Sequence, residues 1–99
     1  MAPKGYTKED TKALEEILED SGIFISGKSG LILHNDDLNS FEWVIYCLNT
    51  IMKFTPERAE RTAWTAHLQG KAILKSSSMD ILMPYKKMME ERGLTVSIE

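Results

Sequence analysis

Three polar side chains in a row, Asn35, Asp36 and Asp37, follow the apolar run at residues 31–34 and precede a predicted helix. They supply carboxylate and amide oxygens where rigid elements flank the chain on both sides, which suits the capture of a cation or of several N–H donors. His67 comes near the end of the second predicted helix, late enough for the chain to have returned towards this loop. The sequence therefore predicts one binding site built from the loop and His67.

The overall composition limits the classes of partner that such a site is expected to bind. The 99 residues are 42% hydrophobic and 27% charged, which is typical of one domain with a single core. The formal net charge of −3 gives no electrostatic reason to expect nucleic acid or an anionic membrane as a partner, since both attract clustered Lys and Arg. A positively charged partner suits the acidic loop better.

The single cysteine and the N-terminal residues indicate the cellular compartment of the protein. Cys47 is the only cysteine, so neither an internal disulfide nor a cysteine-based zinc site is expected. Residues 1–6 lack the apolar stretch of a signal peptide, and no segment approaches the roughly 20 apolar residues that a membrane span requires. These features predict a cytoplasmic protein that is neither exported nor anchored.

The order of predicted elements indicates a small α+β domain. Residues 1–30 are predicted to form an N-terminal extension with a helix at 8–20 and a short strand at 23–26, and residues 31–99 to form the domain. Its predicted order is strand, helix, helix, strand, helix, strand, which gives a small α/β sandwich with three helices covering a short sheet. The domain strands are predicted at 31–33, 72–74 and 94–98.

Capping residues set the boundaries of the first and third domain helices. Asn39 is the predicted N-cap of the first, with Glu42 completing a capping box and Leu38 packing on Trp43 as a hydrophobic staple. The third helix is expected to be kinked by Pro84, or to start later because of it, since proline removes one backbone hydrogen bond.

The second domain helix carries a stripe of small side chains. Thr55 caps its start and Gly70 ends it. Ala59, Ala63 and Ala66 recur on its inner face, where small residues allow another element or a ligand to approach closely.

Other chemistries find weaker support in the sequence. Residues 22–29 match the phosphate-binding pattern G-x-x-x-x-G-K-[ST], but an apolar strand follows them, whereas a working loop opens a helix. A divalent metal suits His34, Asp36, Asp37 and His67 chemically, although their spacing is not diagnostic. Enzymatic catalysis is not expected, because no serine has a nucleophile-elbow setting and the cysteine lies within a helix.

Four segments resemble, in their order and spacing, the motifs of the ClpS family: 34–37 (HNDD), 40–44 (SFEWV), 57–59 (ERA) and 67–72 (HLQGKA). The resemblance covers roughly residues 31–98. It implies a non-enzymatic adaptor of an ATP-dependent Clp protease, without a cofactor. Such an adaptor binds proteins that begin with Phe, Trp, Tyr or Leu and delivers them to a Clp AAA+ unfoldase.

The resemblance also implies roles for individual residues. Asn35, Asp37 and His67 would hold the free α-amino group of the substrate, with Asp36 beside the following peptide bond. The pocket for the first side chain would be lined by Asn39, Phe41, Val44, Ala63, Ala66 and Leu94. Contact with the unfoldase would involve Asp80, Tyr85 and Lys86.

Four positions depart from the family pattern. Ala63 stands where the family usually has Met, and Ala66 where it has a larger residue, so we expect a deeper pocket that favours Trp or Phe over Leu. Phe41 stands where a Met often excludes β-branched side chains, and it is bulky enough to keep that role. Tyr85 replaces the usual Lys, which weakens the expected unfoldase contact.

Two alternatives stay open at this point. One is a module that binds N-terminal residues for a different partner. The other is a small metal-binding protein that uses Asp36, Asp37 and His67.

Overall fold

The computed structural model describes residues 28–99, which form three helices and one three-stranded sheet. The predicted helix at 8–20, the predicted strand at 23–26 and most of the phosphate-loop pattern lie outside these residues. The chain continues from Ser29 as a strand and not as a helix, so the described end of that pattern lacks the helix that a phosphate loop requires. The predicted domain boundary after residue 30 stays a prediction.

The elements follow the predicted order. The strands are β1 (Ser29–His34), β2 (Lys71–Ser77) and β3 (Val96–Ile98), and the helices are α1 (Phe41–Ile51), α2 (Pro56–Gln69) and α3 (Met79–Glu91). The sheet order is β2-β1-β3 with both pairings antiparallel. This arrangement confirms the predicted α+β class.

β1 is the central strand, and its position determines where the loop after it lies. Leu33 pairs with Ala72 on one side and with Val96 on the other. Leu31 and Leu33 are almost fully buried and belong to one core cluster with apolar residues of all three helices. Because β1 is held on both edges, the polar loop that follows His34 starts from a rigid base.

The N-cap prediction for α1 is wrong by one residue. Ser40 is the N-cap, and its Oγ accepts a hydrogen bond from the Trp43 backbone N–H at 3.2 Å. Glu42 is therefore the second helical residue, one position too early for a capping box. The staple is also wrong, because the Leu38 side chain is 93% exposed. Asn39 is instead used in the loop described below.

The other boundaries follow the predicted residues more closely. Thr55 caps α2, and Gly70 ends it with a φ of 90°, a left-handed conformation that glycine adopts at low cost. α3 begins at Met79, so Pro84 does not delay its start. β2 extends beyond the predicted 72–74, while β3 is shorter than the predicted 94–98. Within residues 28–99, no helix is long and apolar enough to cross a membrane.

Candidate functional site

The loop between β1 and α1 is organised by the carboxylate of Asp36. Its Oδ1 accepts hydrogen bonds from the backbone N–H groups of Leu38 and Asn39, both at 3.0 Å. The Asn39 side-chain amide donates to both carboxylate oxygens, and the Thr95 hydroxyl donates to Oδ2 at 3.0 Å. This local Asx-type turn fixes the path of the chain just before α1.

Hydrogen bonds from the loop reach two distant parts of the chain. The Asn39 amide also donates to the Gly93 carbonyl at 2.9 Å, which joins the loop to the turn after α3. The Asn35 backbone N–H donates to the Gly70 carbonyl at 2.9 Å, which joins the loop to the end of α2. His67 lies in the last turn of α2, so this second bond brings the imidazole to the loop.

The ionisation of Asp36 reflects this environment. Partial burial acts to raise its pKa, because it disfavours the charged form. The hydrogen bonds from the Asn39 side chain, the Thr95 hydroxyl and the two backbone N–H groups stabilise the carboxylate and outweigh burial, so the pKa is lower than the ordinary value for Asp. Asp36 is therefore a charged, structurally engaged group at neutral pH.

A cavity of about 230 Å³ opens between the loop, α1 and α2. All ten residues that the resemblance assigned to the amine site and the pocket line this cavity: Asn35, Asp36, Asp37, Asn39, Phe41, Val44, Ala63, Ala66, His67 and Leu94. Leu33 and His34 also line it, and sequence reasoning did not include them. The chain thus gathers side chains from β1, the loop after it, α1, α2 and the segment before β3 around one space.

The lining divides into a polar rim and an apolar floor. The polar rim consists of Asn35, Asp37 and His67, which are exposed. Within residues 28–99, the side chains of these three residues have no hydrogen-bond partner. The apolar floor consists of side chains that are at most 5% exposed: Leu33, Ala63, Ala66 and Leu94. The cavity therefore combines free hydrogen-bond acceptors at its rim with apolar surface beneath them.

Three aromatic rings lie against one another beside the rim. Phe41 contacts Trp64 with a centroid separation of 4.7 Å and His67 with one of 5.6 Å. Trp64 and His67 meet edge to face at 5.9 Å. Sequence reasoning missed Trp64, although its spacing of three residues from His67 places both on one side of α2.

The residues predicted to contact an unfoldase lie on α3 and not at the cavity. Asp80 is exposed, while Tyr85 is half-buried against the core. Lys86 forms an ion pair with Glu90 at 3.0 Å, one turn along the helix. Asp80 and Lys87 are seven residues apart, so they share one exposed side of α3, whereas Tyr85 faces inward.

The alternative of a metal site receives no support from the described residues. Between residues 28 and 99, no three His, Cys, Asp or Glu side chains are grouped so that they could hold a metal ion. The His34 ring nitrogen Nε2 hydrogen-bonds to the Ser97 hydroxyl at 2.6 Å. Asp36 is likewise engaged by its own hydrogen bonds.

Comparison with solved structures gives the same fold. The structure of Agrobacterium tumefaciens ClpS2 bound to L-phenylalaninamide matches with a TM-score of 0.64 and 24% identity, over 73% of this chain and 94% of that one.

Comparison with known sequences identifies the family. Residues 28–97 match the model of the ATP-dependent Clp protease adaptor protein ClpS. The ClpS adapter protein of Leptospira biflexa is 28% identical over 78 residues, which are 79% of this chain and 69% of that protein. The ClpS adapter protein of Synechococcus elongatus is 29% identical over 76 residues, covering 76% of this chain and 80% of that protein. The resemblance found in the sequence is confirmed: the chain belongs to the ClpS family of adaptors of the ATP-dependent Clp protease.

Proposed function

We propose that this protein binds the free, bulky hydrophobic N-terminal residue of substrate proteins and delivers them to a Clp AAA+ unfoldase in the cytoplasm. It does so as an adaptor without catalytic activity of its own. One observation carries the proposal: a single cavity combines the three free acceptors of the polar rim with the buried apolar floor. This pairing is complementary to an amino-terminal residue, which has a cationic amine and an apolar side chain on the same carbon.

The polar rim suits an α-ammonium group. The ammonium offers three donors, and Asn35, Asp37 and His67 supply an amide oxygen, a carboxylate oxygen and an imidazole nitrogen as acceptors. Each hydrogen bond to a charged group contributes about 1.5–3 kcal/mol. Loss of the charged amine is therefore expected to lower the binding affinity most. An acetylated peptide, which lacks the charge and carries added bulk, should not bind.

The apolar floor accepts the first side chain. The volume of the whole cavity, about 230 Å³, lies below the roughly 300 Å³ at which small-molecule pockets usually begin, which suits one side chain and not a longer ligand. Burying a large apolar side chain adds about 1.5–3 kcal/mol. Together with the amine contacts, and after ordering costs, this supports an affinity near the roughly 8 kcal/mol of a micromolar complex.

The size of the alanine side chains sets the proposed preference. Ala63 and Ala66 form the α2 side of the floor and extend no further than Cβ. We therefore expect Phe and Trp to fill the cavity better than Leu. The bound ligand of the Agrobacterium tumefaciens protein, L-phenylalaninamide, pairs a free amine with a benzyl side chain, which supports the proposed binding of an amino-terminal residue.

Asp36 has a different role in this proposal from its two polar neighbours. Its oxygens already accept five hydrogen-bond contacts from three residues, Leu38, Asn39 and Thr95. We assign it to the shape of the loop, in addition to the predicted position beside the peptide bond that follows the substrate's amino group.

Delivery requires a second surface, and α3 is the proposed one. Its exposed side carries Asp80 and Lys87, with the partly accessible Lys86 beside them. This surface consists of residues that do not line the cavity, so unfoldase and substrate can bind at the same time.

Fluorescence anisotropy with labelled peptides tests the binding step. The peptides begin with Phe, Trp, Leu or Val, and each is made with a free and with an acetylated N-terminus. Micromolar or tighter binding of the free bulky residues alone is expected. Equal binding of the acetylated peptides, or binding of none, would contradict the proposal. Co-purification with a Clp unfoldase then separates an adaptor from a module that serves another partner.

A further inference from the structure

Trp64 occupies an unusual place beside the cavity. It does not line the space, and its side chain is 47% exposed although indole is largely apolar. Its ring lies 4.7 Å from that of Phe41 and 5.9 Å from that of His67, measured between centroids. Both of those residues do line the cavity. Trp64 thus contacts two cavity residues without lining the cavity itself.

The position of Phe41 explains why this contact matters. Phe41 is the first residue of α1 and is half-buried, so no preceding helical turn restrains its ring. The ring adjoins the cavity and also contacts Trp64 and His67. Without the indole, the ring would lose one of its two aromatic neighbours and could rotate away from the cavity.

The small residues that line the cavity cannot replace this restraint. Ala63 and Ala66, on α2, end at Cβ and cannot confine a ligand sideways. Phe41 is the largest cavity-lining side chain, so the position of its ring has the largest influence on the space left for a ligand. A β-branched first residue such as Val carries a second heavy atom on Cβ, close to the backbone and hence close to the opening. A restrained Phe41 ring leaves less room for that atom.

We propose that Trp64 is a specificity-determining positioning residue: by packing against Phe41 and His67 it keeps the Phe41 ring beside the cavity, and thereby excludes β-branched first residues. This role rests on the proposed binding of N-terminal residues. It is independent of the surface that contacts an unfoldase.

The role of Trp64 is tested by measuring how the Trp64→Ala and Trp64→Phe variants bind peptides that start with Phe, Leu or Val. In Trp64→Ala the preference for Phe over Val should fall by roughly two- to tenfold, the range expected from the loss of one aromatic contact. Trp64→Phe, which restores a ring, should retain most of the preference. Leu68→Ala is the matched control, because Leu68 is a 73% exposed apolar residue on the same helix that does not line the cavity.

The outcomes separate this role from the function on which it rests. If the wild-type protein prefers Phe over Val and Trp64→Ala shows the same preference, the role of Trp64 is wrong while the proposed function stands. An equal loss of affinity for all three peptides in Trp64→Ala would also contradict the role of Trp64. Such a loss would indicate a structural defect, which lowers affinity without changing selectivity. Wild-type protein that binds no free-amine peptide would overturn both. Urea denaturation of each variant establishes that it is folded, and Trp64→Leu, which removes the ring but keeps an apolar side chain, supplies the test if Trp64→Ala does not fold.

Discussion

Two adjacent carboxylates in the loop after β1 are used in opposite ways. Asp36 is half-buried and accepts hydrogen bonds from Leu38, Asn39 and Thr95. Asp37 is exposed and its side chain has no hydrogen-bond partner within residues 28–99. The same chemical group therefore supports the site at one position and is available to a ligand at the next. Neighbouring acidic residues can be separated into these classes only when their partners are known.

The largest effect is expected for Asp36→Ala. The variant removes the acceptor of two backbone N–H groups and of the Thr95 hydroxyl, and it leaves the Asn39 amide only its bond to the Gly93 carbonyl, so the free energy of unfolding should fall by about 2 kcal/mol. Binding of a Phe-starting peptide should be lost with it, because the loop no longer holds the polar rim in place. Urea denaturation and anisotropy measure the two effects. Unchanged stability would contradict the supporting role.

Asp37→Asn should separate binding from stability. The substitution removes the charge but keeps the size, so peptide affinity should fall roughly 10- to 100-fold, the equivalent of one charge-assisted hydrogen bond of about 1.5–3 kcal/mol. The free energy of unfolding should stay within about 0.5 kcal/mol, as at other exposed positions. Glu60→Gln, which neutralises an exposed carboxylate of α2 outside the cavity, is the control. A comparable loss of affinity in the control would indicate a general electrostatic effect.

The sequence motifs predicted which residues line the cavity, but not the hydrogen bonds that hold the loop in place. The segments around residues 35 and 67 each contain their polar groups within a few positions, so local pattern was enough to select them. Asp36 and Thr95 are 59 residues apart, and Asn39 and Gly93 are 54 apart. Nothing in the local sequence indicates these pairs, because they depend on the antiparallel return of the chain beside β1.

The same limit explains the misplaced N-cap. Asn39 and Ser40 are both good capping residues, and local preference does not distinguish them. The structure uses the Asn39 side chain to bond Asp36 and Gly93, which leaves Ser40 to cap α1. Trp64 was missed for a related reason: an exposed aromatic on a helix has no distinctive pattern until the ring it packs against is known.

Acid should weaken the fold partly through Asp36. Its pKa is lower in the folded protein than the ordinary value of 3.8, so the ionised carboxylate stabilises the fold. This stability is fully present above the unfolded-state pKa and is lost as the pH falls through the folded-state pKa. The free energy of unfolding should therefore fall less steeply with acid in Asp36→Asn than in the wild-type protein. Urea denaturation over a pH series measures the slopes, and parallel slopes would contradict this linkage.

α2 also carries one alanine that supports the core and another that lines the cavity. Changing the alanine at the cavity has the smallest expected effect. Ala59 is fully buried and does not line the cavity, whereas Ala63 is one turn further along and lies in the apolar floor. Ala63→Met should fill part of the floor, so the affinity for a Trp-starting peptide should fall several-fold while that for a Leu-starting peptide changes less, since a smaller side chain still fits. Thr65→Met adds the same side chain to α2 outside the cavity and should leave both affinities unchanged. If Ala63→Met lowered the affinity for both peptides equally, the depth of the cavity would not determine which first side chain is preferred.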